Sequence, residues 1–311
     1  MKRILLAVSI IFTTALASAQ EEWIDVTSKY IKNPTYSGND YSDWEGTQLG
    51  GYNPKNNAEH YNKTYDTYQN ITGLKPGKYR VSLKAFYRMG NTTQDYSLYT
   101  SGNYSSKQYA QLYGTSSVGD FHTAIVPLSS GRVKSSLGGN AYGVGNKTSM
   151  GWWTTYEYYV PDNMEAADFW FRAGHYKNSV DCEVGEDGKL KIGIRKSTHV
   201  GEDWTCLDDW KLEYWGIVTK ATAINFSEPT TTMVPYETKH LSFTISPEDV
   251  TYNKVTWASS DKSVATVDQD GNVKALKQGT VTITATATDG SGTKGECNIT
   301  VEAPAVATSD N

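Results

Sequence analysis

The 311-residue chain contains only three cysteines, Cys182, Cys206 and Cys297, too few for a disulfide framework. At most one pair forms and one thiol is left over. Cys182 and Cys206 fall in one predicted domain; they pair if their strands are neighbours, and otherwise behave as small buried apolar residues. No run of lysine or arginine occurs, and the net charge at pH 7 is −5. That balance excludes a nucleic-acid partner, since phosphate neutralisation needs a basic patch. Long amphipathic helical patterns are absent too. After the first twenty residues no apolar run approaches bilayer length, so no membrane span is predicted beyond the leader. The five histidines stand apart from any Gly-x-Ser-x-Gly nucleophile motif. Cys206 has no cysteine or histidine at zinc spacing.

What the chain has in quantity is aromatic: 22 tyrosines and nine tryptophans, with 27 glycines. Aromatic and threonine enrichment with frequent glycine favours strands and turns, so the predicted class is all-β. The start, "MKRILLAVSIIFTTALASAQ", reads as a cleaved secretory leader over 1–19. Lys2 and Arg3 precede an apolar run, and Ala17-Ser18-Ala19 supplies the small-x-small cleavage pattern. Export to the periplasm, the cell surface or the medium follows from it. Its removal takes the net charge from −5 to −7. About 290 residues then remain, enough for two domains. Composition changes at Trp215-Gly216: the Tyr, Trp and Gly richness ends and Thr, Val, Ala and Ser take over. The expected organisation is one domain over 20–216, a second over 217–303 and a tail over 304–311.

In the first region Tyr61, Tyr65 and Tyr68 are expected on one strand. "GLKPG" turns it into a partner on which Tyr79, Val81, Leu83, Ala85 and Tyr87 alternate. "VDCEVGEDGKLKIGIRK" reads as a hairpin turned by "GEDGK", and "PDNMEAADFWFRAGHY" as a short capped helix. "TSGNYSSKQY" and "SSLGGNAYGVGNKTSMG" read as long loops, where binding residues commonly sit. The second region alternates throughout in short strands separated by "DQDGN" and "TDGSG", the spacing of a sandwich.

"VTWASSDKSVATVDQDGNVKALKQGTVTITATATDGSG", closing with "CNITV", resembles the group 2 bacterial immunoglobulin-like domain. Trp257, Ser259-Ser260, Val264 to Val267, Gly271 and Gly279 carry the resemblance. It implies a bacterial source and a spacer or adhesive module without catalysis. The segments "YIKNPTYSGNDYSDWEG", "AEHYNKTYDTYQNITGLKPGKYRVSLKAFYR" and "DWTCLDDWKLEYWG" are similar to a galactose-binding-like jelly roll of exported Bacteroidetes proteins. The whole is thus expected to be a jelly-roll β-sandwich followed by an immunoglobulin-like one. The likeness spans most of 23–216 but little of 90–150, so fold is better supported than ligand.

The crowded stretch "GEDWTCLDDWKLEYWG" (201–216) invites a catalytic reading. A glycosidase, however, needs two carboxylates facing each other across a cleft. Adjacent residues on a strand point to opposite faces, so Asp208 and Asp209 are no such pair. Alternation places Cys206, Asp208, Trp210, Leu212 and Tyr214 together on the inner face. The jelly-roll resemblance implies a structural calcium held by Asp208 with Asp25 and Asn33; the alternative is an Asp208 that accepts backbone hydrogen bonds. For sugar stacking the candidates are Trp152, Trp153, Tyr99, Tyr104 and Tyr113, against the alternative that they pack. The expected function is non-catalytic glycan binding. A protein-binding or structural surface protein is the alternative, and a hydrolase a third.

Overall fold

Period-two alternation builds two facing sheets in residues 22–216, one of two compact units; the other runs from residue 217. The computed structural model describes residues 21–52, 55–145, 148–150 and 153–303; the predicted leader and tail lie outside them. In chain order the first strands are β1 Glu21–Asp25, β2 Glu45–Gly46, β3 Gly50–Tyr52, β4 Lys55–Tyr61, β5 Tyr65–Ile71, β6 Gly77–Arg88, β7 Gln111–Thr115 and β8 Asp120–Ala124. They continue as β9 Ala141–Val144, β10 Thr148–Met150, β11 Trp153–Thr155, β12 Tyr158–Pro161, β13 Lys177–Val184, β14 Leu190–Lys196 and β15 Trp204–Ile217. Among the described residues three α-helices interrupt them, besides short 3-10 turns: α1 Thr27–Tyr30, α2 Thr92–Thr100 and α3 Met164–Arg172.

One sheet has the order β13-β6-β15-β4-β3, with β1 also on β15; the other is β2-β5-β14-β7-β8. The chain crosses between these sheets repeatedly, although β3 and β4, like β7 and β8, are neighbours within one sheet. The two expected hairpins are corrected on this point. β5 and β6, like β13 and β14, lie in opposite sheets, and "GLKPG" and "GEDGK" carry the chain across the sandwich. Nor do Tyr61 and Tyr65 share a strand, since β4 ends at the first and β5 begins at the second. Both turns suit a hairpin equally well; local sequence does not say which sheet the next strand joins.

The space between the sheets is filled by Tyr65, Ile71, Tyr79, Val81, Leu83, Leu112, Ile192, Leu207, Trp210 and Leu212 among others. A second cluster lies under α3, where Phe86, Trp204 and Cys206 meet Trp170, Phe171 and Tyr176. The helix forms as its sequence predicts. The Asn163 side chain accepts the Ala166 N–H at 2.8 Å, and Met164, Ala167, Trp170 and Phe171 make the buried stripe. Each fully buried side chain of this size contributes roughly 1.5–3 kcal/mol. Cys182 lies in the first cluster and Cys206 in the second, on strands separated by β6. Both thiols, and Cys297, are free and buried.

In the second unit the strands are β16 Ala223–Phe226, β17 Thr230–Met233, β18 Thr238–His240, β19 Phe243–Ser246, β20 Val255–Ser259, β21 Ala265–Val267, β22 Asn272–Ala275, β23 Gly279–Ala287 and β24 Lys294–Val301. They form sheets β17-β24-β23-β20, β18-β22-β21 and β16-β19, with β17 parallel to β24. Phe226, Phe243 and Trp257 meet ring to ring at 5.6–6.2 Å. Gly271 adopts φ 82, and the Trp257 indole stands 2.7 Å from where a side chain would begin. The motif spacing of Trp257 and Gly271 thus has a steric cause.

A comparable close approach occurs at Gly193 on β14, flanked by Tyr68 of β5 and Tyr113 of β7. A Cβ there would stand 2.9 Å from the Tyr68 Cβ and 3.0 Å from the Tyr113 ring. Gly193→Val is expected to destabilise this unit by about 1–3 kcal/mol through overpacking. Scanning calorimetry checks this; an unchanged melting transition would refute the close packing.

Candidate functional site

The stretch 90–150 builds the clearest polar cleft. Asn91 and Gln94 cap α2 reciprocally: Asn91 Oδ1 accepts the Gln94 N–H at 3.0 Å, and Gln94 Oε1 accepts the Asn91 N–H at 2.9 Å. This box fixes the turn after β6 and sets both amide side chains at the mouth of a cleft of about 510 Å³. Arg88, Thr92, Thr93, Tyr142 and Asp162 complete its lining, and its volume suits a small ligand.

Arg88 is buried, and all three of its guanidinium nitrogens donate hydrogen bonds. Its Nε donates to the Gly90 carbonyl at 3.0 Å, Nη1 to Asp162 Oδ1 at 3.3 Å and Nη2 to the Glu202 carbonyl at 3.0 Å. The guanidinium also lies over the Trp204 ring at 5.3 Å. Thr92 Oγ1 donates to the same Asp162 oxygen at 2.8 Å. Asp162 Oδ2, the Gln94 amide N–H groups and the Thr93 hydroxyl have no partner among these bonds. The Tyr142 ring is 38% exposed beside them. Such a face, half wet and rimmed with donors and acceptors, matches the amphipathic surface of a sugar ring.

The five aromatic candidates lie elsewhere. Trp152 is outside the described residues, and Trp153 sits on β11 opposite Met150. Tyr99 is half-buried, with the Arg132 guanidinium 5.1 Å from its ring and Tyr104 edge-on at 6.3 Å. Tyr104 is buried instead of loop-exposed, and its hydroxyl donates to Asp95 Oδ1 at 2.6 Å. Burial raises the Asp95 carboxyl, while hydrogen bonds from Ser129 and Tyr104 pull it down. Tyr113 is 1% exposed. Its ring rests over Gly193, its hydroxyl donates to Asp66 Oδ1 at 2.6 Å, and Arg195 covers it at 4.7 Å. Neither Tyr104 nor Tyr113 can stack on a ligand. Sequence reasoning missed Tyr142 and the amides of Asn91 and Gln94, although "NTTQ" carries the capping-box signature.

Asp208 is displaced from its expected face. Asp209 adopts φ 52, and the pairing of β15 with β6 shifts register between Asp208 and Lys211. This bulge reverses the alternation. Leu207 joins Trp210 and Leu212 between the sheets, and Cys206 turns to the cluster under α3. Asp208 follows Cys206. The ladder with β4 ends at Leu207↔Ala58, just before Asp208. Its carboxyl is pushed up to about 8, first by burial and then by the charge of Asp209. The Asp209 N–H, donating at 2.7 Å, and Lys84 only partly offset this.

The calcium set of Asp208, Asp25 and Asn33 does not fit this geometry. Asp25 Oδ1 accepts the Thr27 N–H at 2.9 Å and its Oδ2 lies 3.8 Å from Lys211 Nζ. Asn33 closes its own turn, accepting the Ser37 N–H at 2.7 Å and donating to the Asp40 carbonyl at 2.8 Å. Among the described residues no group of three His, Cys, Asp or Glu is arranged to hold a metal ion. His60 is structural: stacked on Tyr65 at 4.2 Å and 2.9 Å from Thr67 Oγ1, it is pushed down to about 3 by burial.

Residues 220–297 match the bacterial Ig-like domain (group 2). Over 134 residues the chain is 36% identical to an alpha-L-arabinofuranosidase of Bifidobacterium longum subsp. longum, which covers 41% of this chain and 12% of that protein. It is 48% identical over 65 residues to a 3-O-alpha-D-galactosyl-alpha-L-arabinofuranosidase of the same organism, covering 21% and 6%. The chain spans a third or less of the length of the curated relatives it matches. Among solved structures, an intimin mutant of EHEC O157:H7 aligns at 21% identity and TM-score 0.20 over 27% of this chain and 44% of that one. The bifidobacterial relatives give no support to the Bacteroidetes source expected from the jelly-roll resemblance.

The Asp208 carboxyl has an ordinary value of 3.8 and a folded value near 8. Its protonated form is the one that folding favours. The stability it contributes is complete below pH 4 and is lost as pH rises through 8. Asp208→Asn is expected to flatten stability between pH 4 and 8 and to exceed the parent by on the order of 2 kcal/mol at pH 9. Urea unfolding at pH 4, 6, 8 and 9 checks it; parallel curves for the two proteins would refute it.

Proposed function

We propose that this is an exported, non-catalytic protein whose residues 22–216 bind carbohydrate, with the immunoglobulin-like domain as a spacer or docking module. The observation that carries the reading is the Tyr142 ring, exposed in a concave cleft beside the Asn91 and Gln94 amides and the Asp162 carboxylate. A non-catalytic role accords with that lining: among the described residues Asp162 is the one carboxylate lining it, Glu202 being engaged by Asn91 at its edge, and hydrolysis across a glycosidic bond needs two free to act. Relatives named as arabinofuranosidases, which this chain matches only over a small part of their length, suit an accessory module of glycan-degrading systems. They make arabinose- and galactose-containing polysaccharides the first ligands to try.

A protein ligand is the second reading. It is favoured by Tyr236 of the second unit, 78% exposed at φ 71, with Val234 exposed two residues away.

Affinity electrophoresis of the mature chain in gels containing arabinan, galactan or arabinogalactan tests the first reading. Retardation is expected in at least one gel. Tyr142→Ala should weaken it about tenfold, the loss of roughly 1.4 kcal/mol of ring stacking. Unretarded migration in all three gels, or retardation indifferent to Tyr142→Ala, would overturn it.

A further inference from the structure

We propose that a second cleft in residues 22–216, of about 400 Å³, is an independent binding site for an uncharged, hydroxyl-rich ligand, a short neutral oligosaccharide. The choice of ligand chemistry accords with the carbohydrate reading above, but the site consists of different residues. It lies where β5 begins, β14 ends and the chain enters β7. Tyr109 is its half-buried ring, and Asp66, Gln108, Gln111, Arg195, Ser197 and Thr198 line it.

The charges in this cleft are already matched by the protein. Asp66 accepts Lys191 Nζ at 3.0 Å and the Tyr113 hydroxyl at 2.6 Å. Arg195 grips Asp120 through Nη1 at 2.9 Å and Nη2 at 2.7 Å, and its Nε donates to Gln111 Oε1 at 3.0 Å. Arg195 and its hydrogen bonds hold the Asp120 carboxyl well below the usual carboxylate range. An ionic ligand would have to displace one of these pairs, whereas a neutral one leaves them intact.

The neutral polar groups, by contrast, are uncommitted. The side chains of Gln108, Tyr109, Ser197 and Thr198 make no hydrogen bond with the described residues, and Gln111 uses only its oxygen. Two amides, three hydroxyls and one ring face therefore converge on one concavity. That combination recognises a chain of hydroxyls and C–H faces.

The loop 197–203 fixes this cleft relative to the first. Ser197 and Thr198 line the second cleft, while the Glu202 carbonyl and carboxylate hold Arg88 and Asn91 of the first. At its base the Lys196 ammonium and the Asp203 carboxylate pair out of solvent, with the Tyr87 hydroxyl donating to Asp203 at 3.0 Å. One loop braced in this way makes the module bivalent, so that avidity adds to either affinity.

Side-chain amide resonances report each cleft separately: Gln108 and Gln111 for the second, Asn91 and Gln94 for the first. The full mature chain, deuterated and ¹⁵N-labelled, is titrated with cellotetraose, xylotetraose, maltotetraose and mannotetraose, and with trigalacturonic acid as the charged control. At least one neutral tetrasaccharide is expected to shift Gln108 and Gln111, and to do so equally in Tyr142→Ala. In Tyr109→Ala/Ser197→Ala those shifts should need at least tenfold more ligand, while any at Asn91 and Gln94 persist. Shifts confined to Asn91 and Gln94 would overturn the second site and leave the carbohydrate reading standing. So would a stronger response of Gln108 and Gln111 to trigalacturonic acid than to the neutral sugars. No movement of Gln108 or Gln111 with any of the sugars would overturn it as well.

Discussion

Residues 22–216 depend on the buried tyrosine hydroxyl. Tyr36, Tyr65, Tyr79, Tyr87, Tyr104, Tyr113 and Tyr176 are all at most 5% exposed, in a chain short of leucine and phenylalanine for this purpose. Each ring supplies the apolar area a core needs, but each hydroxyl left without a partner would cost about 1–3 kcal/mol. The fold answers with a specific partner each time. Trp210 Nε1 donates to Tyr36, Thr205 meets Tyr65, and the Lys75 and Leu128 carbonyls accept from Tyr79 and Tyr176. Asp203, Asp95 and Asp66 accept from Tyr87, Tyr104 and Tyr113.

That requirement explains why a chain with so many acids gathers so few of them into clefts. Carboxylates that would look like catalytic candidates in sequence are holding tyrosines, lysines or arginines in place. Asp203 does both, pairing with the buried Lys196. The groups that line the two clefts without such a partner are consequently mostly amides and hydroxyls. These groups gather at strand ends, on α2 and in the adjoining turns, while the sheet faces are occupied: even Tyr113 is roofed by Arg195.

The last strand shows how a single residue redirects a site. With unbroken alternation, Asp208 would face the sandwich core beside Trp210. The left-handed backbone of Asp209 inserts one residue, and Asp208 instead follows Cys206 to the side of α3. Burial there, with the charge of Asp209 beside it, is why the carboxyl is pushed up to about 8. Nothing in "CLDDWKL" distinguishes a bulge from a regular strand. Strand registry decides it, through the pairing of β15 with both β4 and β6.

The sequence by itself determined the features that rest on neighbours in the chain. The all-β class follows from alternation, the capped helix over 164–172 from its Asn163 start and apolar stripe, and the immunoglobulin-like motif from the contact of Trp257 with Gly271. Tertiary structure alone decided which sheet each strand joins, which of Tyr99, Tyr104, Tyr113 and Tyr142 faces water, and where Asp208 points. Those outcomes depend on partners dozens of residues away, such as Gly193 beneath Tyr113 and Asp95 beside Tyr104. A tyrosine has one composition but two uses, and only the supply of a hydrogen-bond partner in three dimensions selects between core and binding surface.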